Sequence, residues 1–181
     1  MNEHPLTITD STGGNTRHAV GVHVVPIRDD GKILLGLRSH RVRLAPGKWS
    51  TVCGNLEQED LPRGGAREAR EETGIEIDPK DLKFAHLAHF QNDEGHGAAM
   101  AVFFLVREWS GVPTIREPDK CDALDWFDIS VLPQPIVPYV ALALGRIQRG
   151  LATDSLAAGF SLLGWPASAG SLPRPGKGTG G

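Results

Sequence analysis

Three glutamates lying close together, Glu68, Glu71 and Glu72, have the types and spacing that could do chemistry. In an α-helix, at about 100° per residue, they fall within an arc of roughly 100° and crowd onto one face. Carboxylates that close repel one another and raise one another's pKa unless positive charge sits among them. Oxygen donors with room for water are what hard divalent cations such as Mg2+ prefer. A cation held there could bind phosphate and activate a water for attack on phosphorus. The competing reading is a solvated helix face, in which Arg67 and Glu71 form an ordinary i,i+4 pair worth about 0.2–0.5 kcal/mol. The helix alone favours the solvated face, so the flanking residues must decide.

The elements around these glutamates can be read from pattern. A polar arm covers residues 1–17, and an ordered domain is expected over 18–165. Ala19 to Ile27 is rich in β-branched residues. With Lys32 to Arg38 across the Arg28-Asp-Asp-Gly31 turn, it predicts a hairpin. Ser39 to Lys48 is basic, contains Ala-Pro-Gly and reads as a loop. A short strand, Trp49 to Cys53, leads into Gly54. Leu61 to Thr73 is helical in composition, and Gly74 stops it. Lys83 to Gln91 and Ala98 to Trp109 read as strands, a further strand lies near Leu124 to Phe127, and Val137 to Gln148 has helical apolar spacing. The order predicts an α/β fold, a mixed sheet with helices packed on it. Phe160 to Trp165 is apolar enough to dock on the domain. Residues 166–181 hold five Gly and three Pro, a composition that cannot offset the entropy of ordering, so a disordered tail is expected.

Composition excludes several functions. The 181 residues carry 19 Lys+Arg against 22 Asp+Glu, a net charge of -3, which argues against coating a nucleic-acid polymer. The most apolar run, Ala98 to Val106, is far shorter than the roughly 20 residues that span a bilayer, so no membrane partner is expected. No secretory signal is evident, and Cys53 and Cys121, the only cysteines, form no disulfide framework. Both fit a cytoplasmic protein, with the two thiols as small buried hydrophobes. Six acidic residues nevertheless fall between Gly54 and Ile75, against three arginines.

The spacing around those residues resembles the Nudix box, Gly-x5-Glu-x7-Arg-Glu-U-x-Glu-Glu-x-Gly-U, with U an aliphatic residue. Glu59 is followed by seven residues, then Arg67-Glu68-Ala69-Arg70-Glu71-Glu72-Thr73-Gly74-Ile75. Gly47-Lys48-Trp49 resembles the Gly-x-Trp lead-in, and Gly54-Asn-Leu-Glu57 the Gly-His-Leu-Glu variant. Four residues separate Gly54 from Glu59 where the pattern has five. Gly64-Gly65 stands where Ala-Ala is common, at roughly 1 kcal/mol of helix propensity per Gly.

The resemblance implies an α/β/α sandwich of the Nudix type with a mixed sheet. It also implies Mg2+-dependent hydrolysis, with Mn2+ as a possible substitute, of a nucleoside diphosphate-linked substrate, most simply a nucleoside triphosphate or analogue. Glu68, Glu71, Glu72 and the carbonyl near Gly54 would hold the metal. Glu68 and Glu71 are the catalytic candidates, with Glu68 placed to orient or deprotonate the water. Arg67 would hold a box carboxylate, and Gly74 would end the helix. Arg38 occupies the place of a phosphate-contacting arginine. Arg116-Glu-Pro-Asp-Lys-Cys121 with Trp126-Phe127 is similar to a signature of nucleotide-directed members, and a homodimer is possible. Glu94, Glu117 and Asp119 are unranked further ligands. A non-hydrolytic nucleotide or nucleotide-sugar sensor, and a hydrolase of a phosphorylated specialised metabolite, are the alternatives. Trp126 reads as a sheet-core residue. His86 and His89, three apart in a strand, point to opposite faces and cannot readily share an ion, and His96 reads as a surface histidine.

Overall fold

Alternating burial builds the centre of the molecule. The computed structural model describes residues 19–92, 97–152 and 159–164. The terminal arm and tail expected from the sequence, together with Glu94 and His96, lie outside them. Strands β1 (Ala19–Pro26), β4 (Val52–Asn55), β5 (Lys83–Asn92), β6 (Gly97–Val106) and β8 (Gly159–Gly164) form a five-stranded sheet of order β4-β1-β6-β5-β8. The β1–β6 and β5–β8 pairs are parallel, whereas β1–β4 and β5–β6 are antiparallel, so the sheet is mixed. The segment read as docking on the domain joins it as β8. A second sheet, β3-β2-β7, is made of β3 (Trp49–Ser50), β2 (Ile33–Arg38) and β7 (Cys121–Phe127).

Side chains leave a strand on alternate faces, and each face of the large sheet takes one helix. Val22, Val24, Val102 and Phe104 face α1 (Leu61–Thr73) and pack around Ala69 and Ile75. Val25, Phe103 and Leu105 face α2 (Pro138–Ala152) and pack on Val140, Leu144 and Ile147. The result is a helix–sheet–helix sandwich. Among the described residues, no helix is long and apolar enough to cross a membrane.

The expected hairpin is corrected. β1 and β2 meet only at the Ile27–Ile33 bridge and then separate into different sheets. The turn itself forms, with Arg28 N–H donating to Lys32 O at 2.9 Å and Gly31 N–H to Arg28 O at 2.8 Å. Both edges of β1 are already taken, one by β4 and the other by β6, so β2 pairs with β3 and β7 instead. The single strand expected over Trp49 to Cys53 is divided for the same reason. Its first two residues join the small sheet, and the chain re-enters the large one at Val52.

Helix α1 is fixed at both ends. The Asp60 side chain caps it by accepting from Arg63 N–H at 2.9 Å. Gly74 ends it at φ 73°, in the left-handed region, and donates its N–H to Arg70 O. The Gly64-Gly65 pair sits where space is short. A Cβ on Gly64 would lie 2.9 Å from Leu56, and one on Gly65 would lie 3.2 Å from Leu82 and Val24. Close approach of the helix to the sheet thus offsets the lost helix propensity.

Candidate active site

The site forms where α1 lies against the open edge of β4. Directly opposed residues of antiparallel strands share a face, so the Val22–Gly54 pair turns Gly54 toward α1 and the His23–Cys53 pair turns Cys53 toward α2. Glu68 rests on the bare Cα of Gly54. A Cβ there would fall 2.0 Å from the Glu68 carboxylate, so only glycine allows this approach. One turn further along the helix, Glu72 accepts a hydrogen bond from the Cys53 N–H at 3.0 Å. A helix carboxylate therefore terminates the strand edge.

Arg67 gathers the remaining acids. Its Nε and Nη2 donate to Glu59 Oε1 at 2.9 and 2.7 Å, its Nη1 to Glu68 at 2.7 Å and Glu71 at 3.2 Å, and Nη2 also to the Asn55 carbonyl at 3.0 Å. Despite the shortened segment between Gly54 and Glu59, Glu59 reaches the arginine with a two-point contact. This pairing holds the Glu59 carboxyl below its ordinary range. The side chains of Glu59, Arg67 and Glu68 are only 18%, 17% and 12% exposed, whereas that of Glu71 is 46% exposed.

Electrostatically, burial dominates at the two inward acids, although Glu68 is paired with Arg67. Burial, reinforced by the neighbouring Glu68 and Glu117 carboxylates, pushes the Glu72 pKa up to about 8, against the pull of the Cys53 N–H. Burial likewise raises Glu68, with Arg67 working the other way. Among the described residues, no three His, Cys, Asp or Glu side chains already converge as a ligand cluster. Arg67 holds Glu68 and Glu71 in the arrangement present.

A cleft of about 640 Å³ runs from these carboxylates between the two sheets. Arg38 lines it, with Nε donating to the Leu44 carbonyl at 2.9 Å, and its charge lowers the pKa values of both Glu72 and His23. The loop after β6 closes another side. Thr114 and Arg116 N–H groups donate to the Thr73 and Glu72 carbonyls at the end of α1 at 2.9 and 3.0 Å. Gly74 is needed here as well, because a Cβ on it would meet Arg116 Nε at 2.5 Å. That anchoring brings Glu117 and Lys120 to the cleft, paired to each other at 2.7 Å. Asp119 instead reaches outward to Arg41 at 3.3 Å, which separates two candidates that the sequence left unranked.

The cysteines are not the buried pair expected. Both are half-buried and line the cleft, because β4 and β7 bound it. Burial and nearby Glu72 push the Cys53 thiol up to about 12, which keeps it unreactive. Trp126 stacks on Trp109 at 5.9 Å and carries Arg28 over its ring at 5.1 Å. It packs against the α1-side core and does not line the cleft. His86 is buried beside Phe103. Sequence reasoning missed His23, Thr51 and Tyr139, which also line the cleft; an isolated His in an apolar strand gave no local signal.

The NUDIX domain family model matches residues 17–142. The chain belongs to the NUDIX hydrolase family. Within it, the chain is 25% identical over 127 residues to the NAD-capped RNA hydrolase NudC of Vibrio atlanticus, covering 70% of this chain and 43% of the relative. The NUDIX chain thus spans less than half of that curated relative's length. Among solved structures, the MutT NUDIX hydrolase of Burkholderia pseudomallei is 29% identical, with a TM-score of 0.66, over 72% of this chain and 98% of that one. The NUDIX domain of Shewanella oneidensis NrtR, complexed with ADP ribose, has a TM-score of 0.62 at 17% identity, over 76% and 90% of the two chains, and shares the fold.

Proposed function

We propose that this NUDIX domain hydrolyses a phosphoanhydride bond in a nucleoside diphosphate-linked small molecule. The observation that carries the reading is the seating of Glu68 on Gly54 beside an inward Glu72, two partly desolvated carboxylates on one helix face whose pKa values burial raises. Their all-oxygen chemistry, with the Gly54 carbonyl nearby, fits Mg2+ or Mn2+. Glu68, Glu71 and Glu72 are the side chains that would hold it, and Glu117 is the candidate from outside the helix. When bound, a hard cation would supply charge neutralisation on the phosphate oxygens.

The chain's own residues account for the rest. Glu68, whose pKa burial raises, would orient a water and accept its proton. Arg67 keeps the Glu59, Glu68 and Glu71 carboxylates in register, so that their mutual repulsion does not spread them. Arg38, opposite the helix, binds a phosphate and keeps the scissile bond over the carboxylates. The anion is attracted locally, although the whole chain is slightly acidic.

Relatives suggest the kind of substrate. NudC is named for NAD-capped RNA and the NrtR structure holds ADP ribose. Both contain a diphosphate that joins a nucleoside to a second ribosyl group, and this chain takes a small molecule of that class in the cytoplasm. Incubating the full chain and Mg2+ with ADP-ribose, NAD, ATP and 5-phosphoribosyl pyrophosphate, with products read by phosphorus NMR, tests this. At least one member yields phosphate monoester or pyrophosphate. Tight binding without turnover of any member would establish the sensor alternative instead.

A further inference from the structure

The cleft continues past the carboxylates, around the edge of β4, onto the α2 face of the large sheet. Parallel pairing places Ala19 beside Ala99 and Gly21 beside Ala101 there, so four small residues make a flat floor within the cleft. In the next row both strands carry rings. His23 lies opposite Phe103 and stacks on it with centroids 4.4 Å apart at 23°. Tyr139, from the first turn of α2, meets His23 edge-on at 5.6 Å.

This wall is polar and neutral. His23 is only 2% exposed, and its Nδ1 lies 2.7 Å from the Thr51 hydroxyl. Its Nε2 is 3.5 Å from the Tyr139 hydroxyl, well beyond the usual hydrogen-bond length of about 2.9 Å. A Cβ on Gly21 would sit 3.5 Å from that same nitrogen, so Nε2 is the ring atom that borders the floor. Burial and the Arg38 charge pull the imidazole pKa down to about 3, which leaves one donor and one acceptor on the ring at neutral pH. A charged group set against His23, Phe103 and the alanines would lack compensation. A flat, uncharged ring with a hydrogen-bonding edge would fit the floor and complete the long Nε2 contact.

We propose that this second arm of the cleft seats the uncharged heterocyclic end of the substrate, and that His23, backed by Tyr139, is the specificity-determining residue that reads its edge. The assignment rests on the hydrolase reading and adds the part of the substrate that the carboxylates do not touch.

The test compares wild type with His23→Phe, which keeps the ring and its stacking but removes both nitrogens, and with Tyr139→Phe. KM and kcat are measured for ADP-ribose, NAD and ATP, and for 5-phosphoribosyl pyrophosphate, which carries the phosphoanhydride and a ribose but no aromatic base. His23→Phe should raise KM for the best base-bearing substrate about tenfold, the worth of a lost hydrogen bond in a site built to make it. Its kcat should stay within about threefold, and 5-phosphoribosyl pyrophosphate should be unaffected. Tyr139→Phe should move KM in the same direction. Unchanged KM for every base-bearing substrate, or an equal loss with the base-free one, would overturn the assignment.

If wild type turns over no member of the panel, hydrolysis has failed as a reading, and calorimetric Kd values for the same compounds become the readout. About tenfold weaker binding in His23→Phe would still support the subsite, whereas unchanged Kd or no binding by wild type would overturn it. Should His23→Phe melt far below wild type, Tyr139→Phe alone decides between the same two outcomes.

Discussion

Glu72→Gln is expected to lose turnover by at least about 100-fold while becoming the more stable protein in the absence of metal. The loss follows from placing Glu72 in the metal-holding set, where removing a ligand charge should cost no less than the 10- to 100-fold typical of outer-shell partners. The gain in stability follows from burial. The Glu72 pKa is raised to about 8, against an ordinary value of 4.5. Between those values the folded chain keeps a proton that the unfolded chain has released. Stability from this group is therefore full below about pH 4.5 and declines as pH rises toward 8. Glutamine is neutral throughout and can still accept the Cys53 N–H through its amide oxygen, so it avoids that decline. Thermal melts at pH 5 and pH 8 in EDTA should show wild type losing several degrees that Glu72→Gln retains. Adding Mg2+ at pH 8 should raise the wild-type melting temperature and leave the variant unmoved. Parallel pH dependence in the two proteins would mean that the carboxylate is not held as described.

Gly54→Ala should damage the site as severely by a purely steric route. The added methyl would lie 2.0 Å from the Glu68 carboxylate, in place of an ordinary contact of 3.4 Å or more, so the carboxylate must move by more than 1 Å. Misplacing a reacting group by about 1 Å can cost about 100-fold in rate. Overpacking of this kind typically destabilises by about 1–3 kcal/mol. Urea unfolding should therefore show a modest loss, and kinetics a fall concentrated in kcat. Wild-type kcat in Gly54→Ala would show that the Glu68–Gly54 approach is not part of the working site.

The contrast between these residues and the missed ones shows what kind of information a sequence carries. Glu68, Glu71 and Glu72 were legible because one short helix fixes their relation, and helical geometry is local. Gly74 was legible as a stop signal, but its second task, admitting Arg116, depends on a loop forty residues away. Glu59 was harder, since the segment after Gly54 is one residue shorter than the pattern, and its two-point contact with Arg67 depends on the path of that loop. The β1–β2 hairpin misled because its turn chemistry is correct while its strands are claimed by other partners. The neutral arm was invisible for a related reason. Gly21 and Ala101 become neighbours only through parallel pairing of β1 with β6, eighty residues apart, and Tyr139 arrives from a third element. Cys53 and Cys121 read as core residues because nothing local shows that β4 and β7 border a cleft.

The central claim is that water attacks phosphorus at the α1 carboxylates. Turnover of the active panel member by the full chain in 18O-labelled water, with Mg2+, tests it most directly. Mass spectrometry of the products should find one labelled oxygen on a phosphate product per bond cleaved, with product formation abolished by EDTA. Label on the sugar carbon, or unlabelled products, would contradict the account.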